Sequence, residues 1–209
     1  MRRLLIFIYL RNRLLITETK IGNVRIKCIW LHTRWVRRLF PIKRMNVLNF
    51  FSESDALTGY LNRRGFMEKA VQINRENAGK EMVILFADLD HLKEINDSFG
   101  HIEGDFAIRQ CAEVLKSAVG DSGVIGRIGG DEFCAMLPGN VDDGQRIRER
   151  VRRESNEFNS DSDKPYYVEL SVGYHVVCCG SDLIISDVLK DADEALYEEK
   201  KKRRKSVKK

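Results

Sequence analysis

At 209 residues with 43% hydrophobic content, the chain has room for one domain with a real core plus an appendage, since a domain takes about 100–200 residues. Its formal charge of +5 conceals a strong polarity: twelve Lys/Arg stand against one acid, Glu18, through Phe50, and eight Lys/Arg with no acid follow from Lys200. Residues 51–199 therefore carry 30 acids against 16 bases, and so acidic a body excludes a general nucleic-acid binder, whose face must be basic to displace phosphate counterions. The five cysteines (Cys28, Cys111, Cys134, Cys178, Cys179) lack CxxC spacing, which argues against a zinc site and for free thiols in a reducing, cytoplasmic compartment.

The N-terminal apolar run Leu4 to Leu10 is flanked by arginines. It is shorter than the roughly 20 residues that span a bilayer, and no signal-peptide cleavage site follows it. Arginines and apolar residues interleave through RNRLLI and IWLHTRWVRRLF, which leaves residues 1–51 with two readings. One is a peripheral contact with a partner or with anionic lipid at the inner face of the membrane; the other is a weakly ordered remnant of a longer upstream region. Pro41 interrupts, and KRMNVLNFFSES reads as a short apolar-periodic helix leading into the acidic body, with the boundary near Ser52.

Beyond the boundary, Asn62 to Asn77 has helical periodicity, with Phe66, Ala70, Val71 and Ile73 on one side, and Gly79-Lys80 end it. EMVILFADLD is a nearly continuous apolar run ending in acids, as suits a central strand buried on both faces. A short helix over His91–Ser98, a turn at Gly100 and a long helix over Glu103–Val119 follow. VIGRI and FCAML then read as a hairpin joined by Gly129-Gly130, followed by a helix over Asp142–Phe158, a strand over Tyr166–Cys178 and a last helix over Ile185–Lys202 before the basic tail, residues 206–209. This alternation predicts a single α+β domain over 52–205 with a layered sheet.

The hairpin link carries adjacent acids, Asp131 and Glu132. A solvated turn would carry them equally well, so the neighbouring elements decide. Because strand side chains alternate, Asp88 and Asp90 point the same way and Leu89 the opposite way. If the hairpin lies beside this strand, Asp131 and Glu132 meet Asp88 at one sheet edge. Carboxylates crowded in this way repel, and a hard divalent cation such as magnesium relieves the repulsion. In KEINDSFGHIEGD, Lys93 lies one helical turn after Asp88–Asp90 and can meet a phosphate, and Asn96 with Asp105 has the groups to read a base edge. The carboxylate accepts from guanine N1–H and N2–H₂ and finds the wrong pattern on adenine. Taken singly, Asp105 is also a helix N-terminal acid, Asn96 a turn former and His101 a loop residue.

In order and spacing, DALTGYLNRRGF (55–66), FADLDHLKEINDSFGHIEGD (86–105), RIGGDEF (127–133), SVGYHVV (171–177) and ADEALYEEKK (192–201) together resemble the GGDEF-domain diguanylate cyclases. The resemblance covers residues 55–205 and leaves the first 50 outside. It implies a palm-like nucleotidyl-cyclase domain, a central antiparallel sheet wrapped by helices. The implied reaction joins two GTP into cyclic di-GMP with release of pyrophosphate, in a homodimer with one GTP per subunit. By the matching positions, Asp88, the Leu89 carbonyl and Asp131 would hold Mg²⁺ (or Mn²⁺), with Glu132 as a further metal or catalytic carboxylate. Lys93 and Lys200 would bind the triphosphate, Asn96 and Asp105 would read guanine with His101 nearby, and Gly129 and Gly130 would let the nucleotide lie close to the hairpin.

The sequence also departs from the family pattern. Leu92 replaces a frequent Phe, Glu199 precedes Lys200 where a small residue is usual, and Arg203 replaces a glycine, which bears on the phosphate role of Lys200. The position of the inhibitory product-binding RxxD reads GDSG (120–123), so feedback inhibition by that route is not expected. Two other functions remain open. A non-catalytic GGDEF module would bind GTP and signal through protein contacts, and a cyclase making an adenine or mixed dinucleotide is disfavoured by Asp105.

Overall fold

The computed structural model describes residues 14–21, 24–31 and 53–207. The chain divides into two compact units, residues 1–50 and 51–209. In the first, β1 (Leu14–Ile21) and β2 (Val24–Leu31) pair antiparallel, with Ile21 opposite Val24 and Leu14 opposite Leu31. Sequence reasoning assigned this stretch no regular element. VRIKCI alternates apolar and other residues at period two, a strand signal outweighed there by the arginines that flank it. The expected helix over residues 43–54 falls almost wholly outside the described residues.

The second unit holds a five-stranded sheet in the order β3-β5-β6-β4-β7. Its strands are β3 (Leu61–Asn62), β4 (Glu81–Leu89), β5 (Val124–Arg127), β6 (Glu132–Pro138) and β7 (Leu170–Cys178). All neighbours are antiparallel except the two-residue β3, which runs parallel to β5. The helices that lie wholly within the described residues are α1 (Arg63–Glu76), α2 (Leu92–Phe99), α3 (His101–Val119), α4 (Val141–Asp161) and α5 (Ile185–Val207). No helix among the described residues is long and apolar enough to cross a membrane.

Strand β4 is the spine, buried from Met82 to Ala87, and its side chains divide by parity between two cores. Val83, Leu85, Ala87 and Leu89 pack with Leu115 of α3 and Val151 of α4, whereas Met82, Ile84 and Phe86 pack with Phe66 of α1 and Leu196 of α5. The even face continues into Asp88 and Asp90, so both acids emerge on the side that α5 covers.

Two helix starts have a side-chain cap. Asn62 caps α1 by accepting from the Gly65 N–H at 2.9 Å, and Asn140 and Asp143 form a reciprocal capping box on α4. The turn from α2 to α3 passes through Gly100 at φ 85, a left-handed conformation suited to glycine. Helix α3 begins at His101, before the expected Glu103, and β7 begins at Leu170, after the expected Tyr166. The second shift has a visible reason: the Tyr166 hydroxyl donates to Glu103 Oε2 at 2.5 Å and Lys164 Nζ to the same oxygen at 2.8 Å, drawing the segment off the sheet toward α3. Cys111, Cys134 and Cys179 are buried free thiols, as expected, while Cys178 is exposed.

Candidate active site

The acids meet because β4 and β6 are neighbours. The register sets Asp88 opposite Glu132, and the Leu89 N–H donates to the Asp131 carbonyl at 3.0 Å, fastening the turn to the end of β4. Four residues, Ile128 to Asp131, separate β5 from β6, so the link is wider than the two-residue Gly-Gly turn expected. Arg127 holds it open: its guanidinium donates to the Gly130 carbonyl at 2.7 and 3.1 Å and reaches Asp55 at 3.2 Å. Asp55 in turn accepts from the Thr58 N–H and hydroxyl. The DALTG segment is thus a brace for the acidic turn, a role the sequence motif did not reveal.

The two glycines do different work. A Cβ on Gly129 would lie 2.2 Å from Glu132 Oε2, so that residue is bare because the Glu132 carboxylate rests on it. A Cβ on Gly130 would meet nothing within 4 Å, which leaves open space on that side of the backbone.

Lys200 of α5 reaches the same strand end. Its Nζ donates to Asp88 Oδ1 and lies 3.0 Å from Asp90 Oδ1, while the Ser171 hydroxyl donates to Asp90 Oδ2 at 2.6 Å. Glycine again permits the approach. A Cβ on Gly173 would lie 2.2 Å from the Ala192 carbonyl oxygen and the Leu196 nitrogen, so α5 lies directly on the β7 backbone. From Leu196 to Lys200 the helix rises about 6 Å, matching the two strand residues from Gly173 to Ser171, which bring Lys200 over the acids. Glu199 departs from the family pattern without disturbing this contact, because it faces Arg148 at 3.6 Å.

The electrostatics follow from burial and crowding. Burial pushes the Asp88 and Glu132 carboxyls above the ordinary range, and the neighbouring acids add to it: Asp131 and Asp90 at Asp88, Asp131 and Asp88 at Glu132. Lys200 opposes the rise at Asp88 without cancelling it. At Lys200 burial alone would favour the neutral amine, yet its contacts with Asp88 and Asp90 outweigh burial and raise its pKa, so the ammonium is the stable form.

Of the second expected cluster, the fold sets Asn96 against α3. A Cβ on Gly104 would lie 2.0 Å from Asn96 Oδ1, so the Asn96 amide of α2 rests against α3 at Gly104, the residue before Asp105. Lys93 in the first turn of α2 and His101 at the start of α3 are exposed. Neither makes a hydrogen bond or ion pair with the strand-end acids. Sequence reasoning missed Ser171 and Arg127 as parts of the site. Ser171 had a findable signal, because it heads SVGYH and stands directly opposite Asp88 once β7 is paired with β4.

The donors fit a hard divalent cation by chemistry: carboxylates and a carbonyl, with no His or Cys, and acids close enough to add to the rise that burial gives Asp88 and Glu132. Among the described residues no group of three or more His, Cys, Asp or Glu is gathered closely enough to hold an ion alone.

Comparison with known proteins identifies the family and the fold. The family model described as "Diguanylate cyclase, GGDEF domain" matches residues 52–206. Among solved structures, the coiled coil and GGDEF domain of DgcB from Caulobacter crescentus, in complex with c-di-GMP, superposes with a TM-score of 0.69 at 25% identity, over 80% of this chain and 89% of that one. Diguanylate cyclase SiaD from Pseudomonas aeruginosa, in complex with its activator SiaC, superposes at 0.65 with 29% identity, over 81% of this chain and 70% of that one. The fold is therefore that of a GGDEF domain. Diguanylate cyclase DgcP of Escherichia coli is 35% identical over 160 residues, 74% of this chain and 46% of that protein. Cyclic di-GMP phosphodiesterase NbdA of Pseudomonas aeruginosa is 30% identical over 200 residues, 88% of this chain and 25% of that protein. This chain belongs to the GGDEF diguanylate cyclase family, and it spans between a quarter and about half the length of these two curated relatives.

Proposed function

We propose that this domain condenses two GTP molecules into cyclic di-GMP and two pyrophosphates, working as a homodimer in which each subunit presents one GTP. The observation that carries the reading is the β4–β6 register, which sets Asp88 against Glu132 with the Asp131 turn fastened to Leu89. Family membership and the likeness to a domain in complex with c-di-GMP support it.

Asp105 accepts from guanine N1–H and N2–H₂, and Asn96, resting on Gly104, supplies a donor and an acceptor beside it. The open backbone at Gly130 lets the phosphates lie against the turn. Lys93 and Lys200 bring positive charge to the triphosphate, and Lys200 is held at the strand end as an ammonium. Asp88, the Leu89 carbonyl, Asp131 and Glu132 are the groups that would hold Mg²⁺, or Mn²⁺ through the same oxygens. The bound ion supplies Lewis-acid stabilisation of charge on the α-phosphate and the leaving group.

In each of two steps the 3′-hydroxyl oxygen of one GTP forms a bond to the α-phosphorus of the other, and the bond to pyrophosphate breaks. Asp131, at the tip of the turn, takes the hydroxyl proton, and the lysines take up charge on the departing pyrophosphate. Chromatography and mass analysis of protein incubated with GTP and Mg²⁺ tests the proposal. Cyclic di-GMP whose rate per subunit rises with protein concentration is the expected result. Absence of product at concentrations where the protein is dimeric and GTP-bound would refute it.

A further inference from the structure

Lys200 stands where the family resemblance implies a phosphate-binding side chain, and its ammonium lies between two carboxylates. Lys200, Asp88 and Asp90 are only 25%, 24% and 16% exposed, so solvent ions screen the contacts weakly. The two carboxylates are not equivalent. Asp88 stands within the acid group opposite Glu132. Asp90 lies just past the strand, where Ser171, itself 1% exposed, donates to its Oδ2 at 2.6 Å and its own N–H donates to the Glu169 carbonyl at 2.9 Å. One contact is a tether, and the other is made to an acid wanted by a metal.

We propose that Lys200 is an exchangeable counter-ion. It neutralises Asp88 in the nucleotide-free protein, yields that carboxylate to an arriving divalent cation, and stays on Asp90, which positions its ammonium for the phosphates. The proposal rests on the metal-assisted reading of the site given above. Asp90 is in this scheme a positioning residue that acts through Lys200. The exchange needs only a short swing of the lysine stem, because α5 is seated on the β7 backbone at Gly173 and need not move.

Mn²⁺ binding to the nucleotide-free full chain, read by electron paramagnetic resonance, tests this without turnover. Lys200→Met removes the competitor and is expected to tighten Mn²⁺ binding about tenfold, with Lys200→Gln, which keeps a polar end, doing the same. Asp88→Asn is expected to abolish binding. Asp90→Asn releases Lys200 fully to Asp88, so Mn²⁺ binding weakens, and the loss disappears in the Lys200→Met background. In turnover, Asp90→Asn raises the KM for GTP more than it lowers kcat. Unchanged or weaker Mn²⁺ binding in both Lys200 variants, with Asp88→Asn still deficient, would overturn the exchange and leave the metal reading intact. Binding indifferent to Asp88→Asn would overturn both. A loss in Asp90→Asn that persists without Lys200 would be plain loss of charge and would overturn the positioning role.

Discussion

Replacing Gly173 by alanine pushes a methyl group into the backbone of α5. The new Cβ would lie 2.2 Å from the Ala192 carbonyl oxygen and the Leu196 nitrogen and 2.7 Å from the Leu196 Cα. Real Cβ contacts do not fall below 3.0 Å, so the helix must retreat by at least the 0.8 Å between 2.2 and 3.0 Å, and no side-chain rotation relieves a clash with backbone. Overpacking of this kind costs about 1–3 kcal/mol. Each kcal/mol lowers the melting temperature of a domain this size by about 2–4 °C, so the midpoint is expected to fall by roughly 2–12 °C. Lys200, one turn beyond Leu196, retreats with the helix, and misplacement on the order of 1 Å costs about a hundredfold in rate. Thermal melts followed by circular dichroism and steady-state GTP turnover read the two effects separately. Gly173→Ala with wild-type melting and wild-type turnover would refute the claim that this glycine sets the height of α5 over the acids.

Arg127→Met removes the brace between the turn and Asp55 and lowers stability in a pH-dependent way. Burial would raise the Asp55 carboxyl, but Thr58 and Arg127 together hold it below its usual 3.8. A depressed pKa contributes stability that is full above the unfolded value and lost as pH falls through the folded one. The stability gap between wild type and Arg127→Met is thus steady near neutrality and narrows below pH 3.8; a gap constant into strong acid contradicts this. Gly129→Ala displaces the Glu132 carboxylate, a movable side-chain end, so turnover falls with little change in melting, whereas Gly130→Ala meets nothing within 4 Å and leaves melting unchanged. A large loss of stability in either would show that the turn is packed otherwise. Asp105→Ala is expected to weaken GTP binding about tenfold or more while leaving ATP binding unaltered, and equal GTP affinity in equilibrium binding would remove Asp105 from guanine recognition. Cyclic di-GMP titrated into the assay is expected to inhibit only in competition with GTP, because residues 120–123 read GDSG. Inhibition that excess GTP cannot relieve contradicts that expectation.

Much of the site was legible because strand parity is a rigid rule. Once EMVILFADLD is a central strand, Asp88 and Asp90 must share a face, and the even face of β4 is the one that α5 covers. The repulsion among the acids was also foreseeable. Part of its relief was not, since the Lys200 ammonium lies 112 residues away in sequence from Asp88 and depends on how closely α5 sits on Gly173. In sequence Arg127 reads as a strand residue, and nothing local says that it folds back to Gly130 and across to Asp55, 72 positions earlier. The same limit explains the shortened β7, whose first expected residues are drawn to Glu103 by Lys164 and Tyr166. Local patterns specify periodicity and caps, whereas long-range side-chain pairs decide where strands stop and which charges meet.

The most direct test of the central claim compares wild-type protein with an Asp131→Ala, Glu132→Ala double variant, each incubated with Mg²⁺ and GTP and assayed for cyclic di-GMP by chromatography and mass. Product is expected from the wild type alone, with the variant folded and still binding guanine through Asn96 and Asp105. Product from both would detach the turn acids from the chemistry, and product from neither, with GTP bound and the protein dimeric, would contradict the assignment of cyclase activity to this chain.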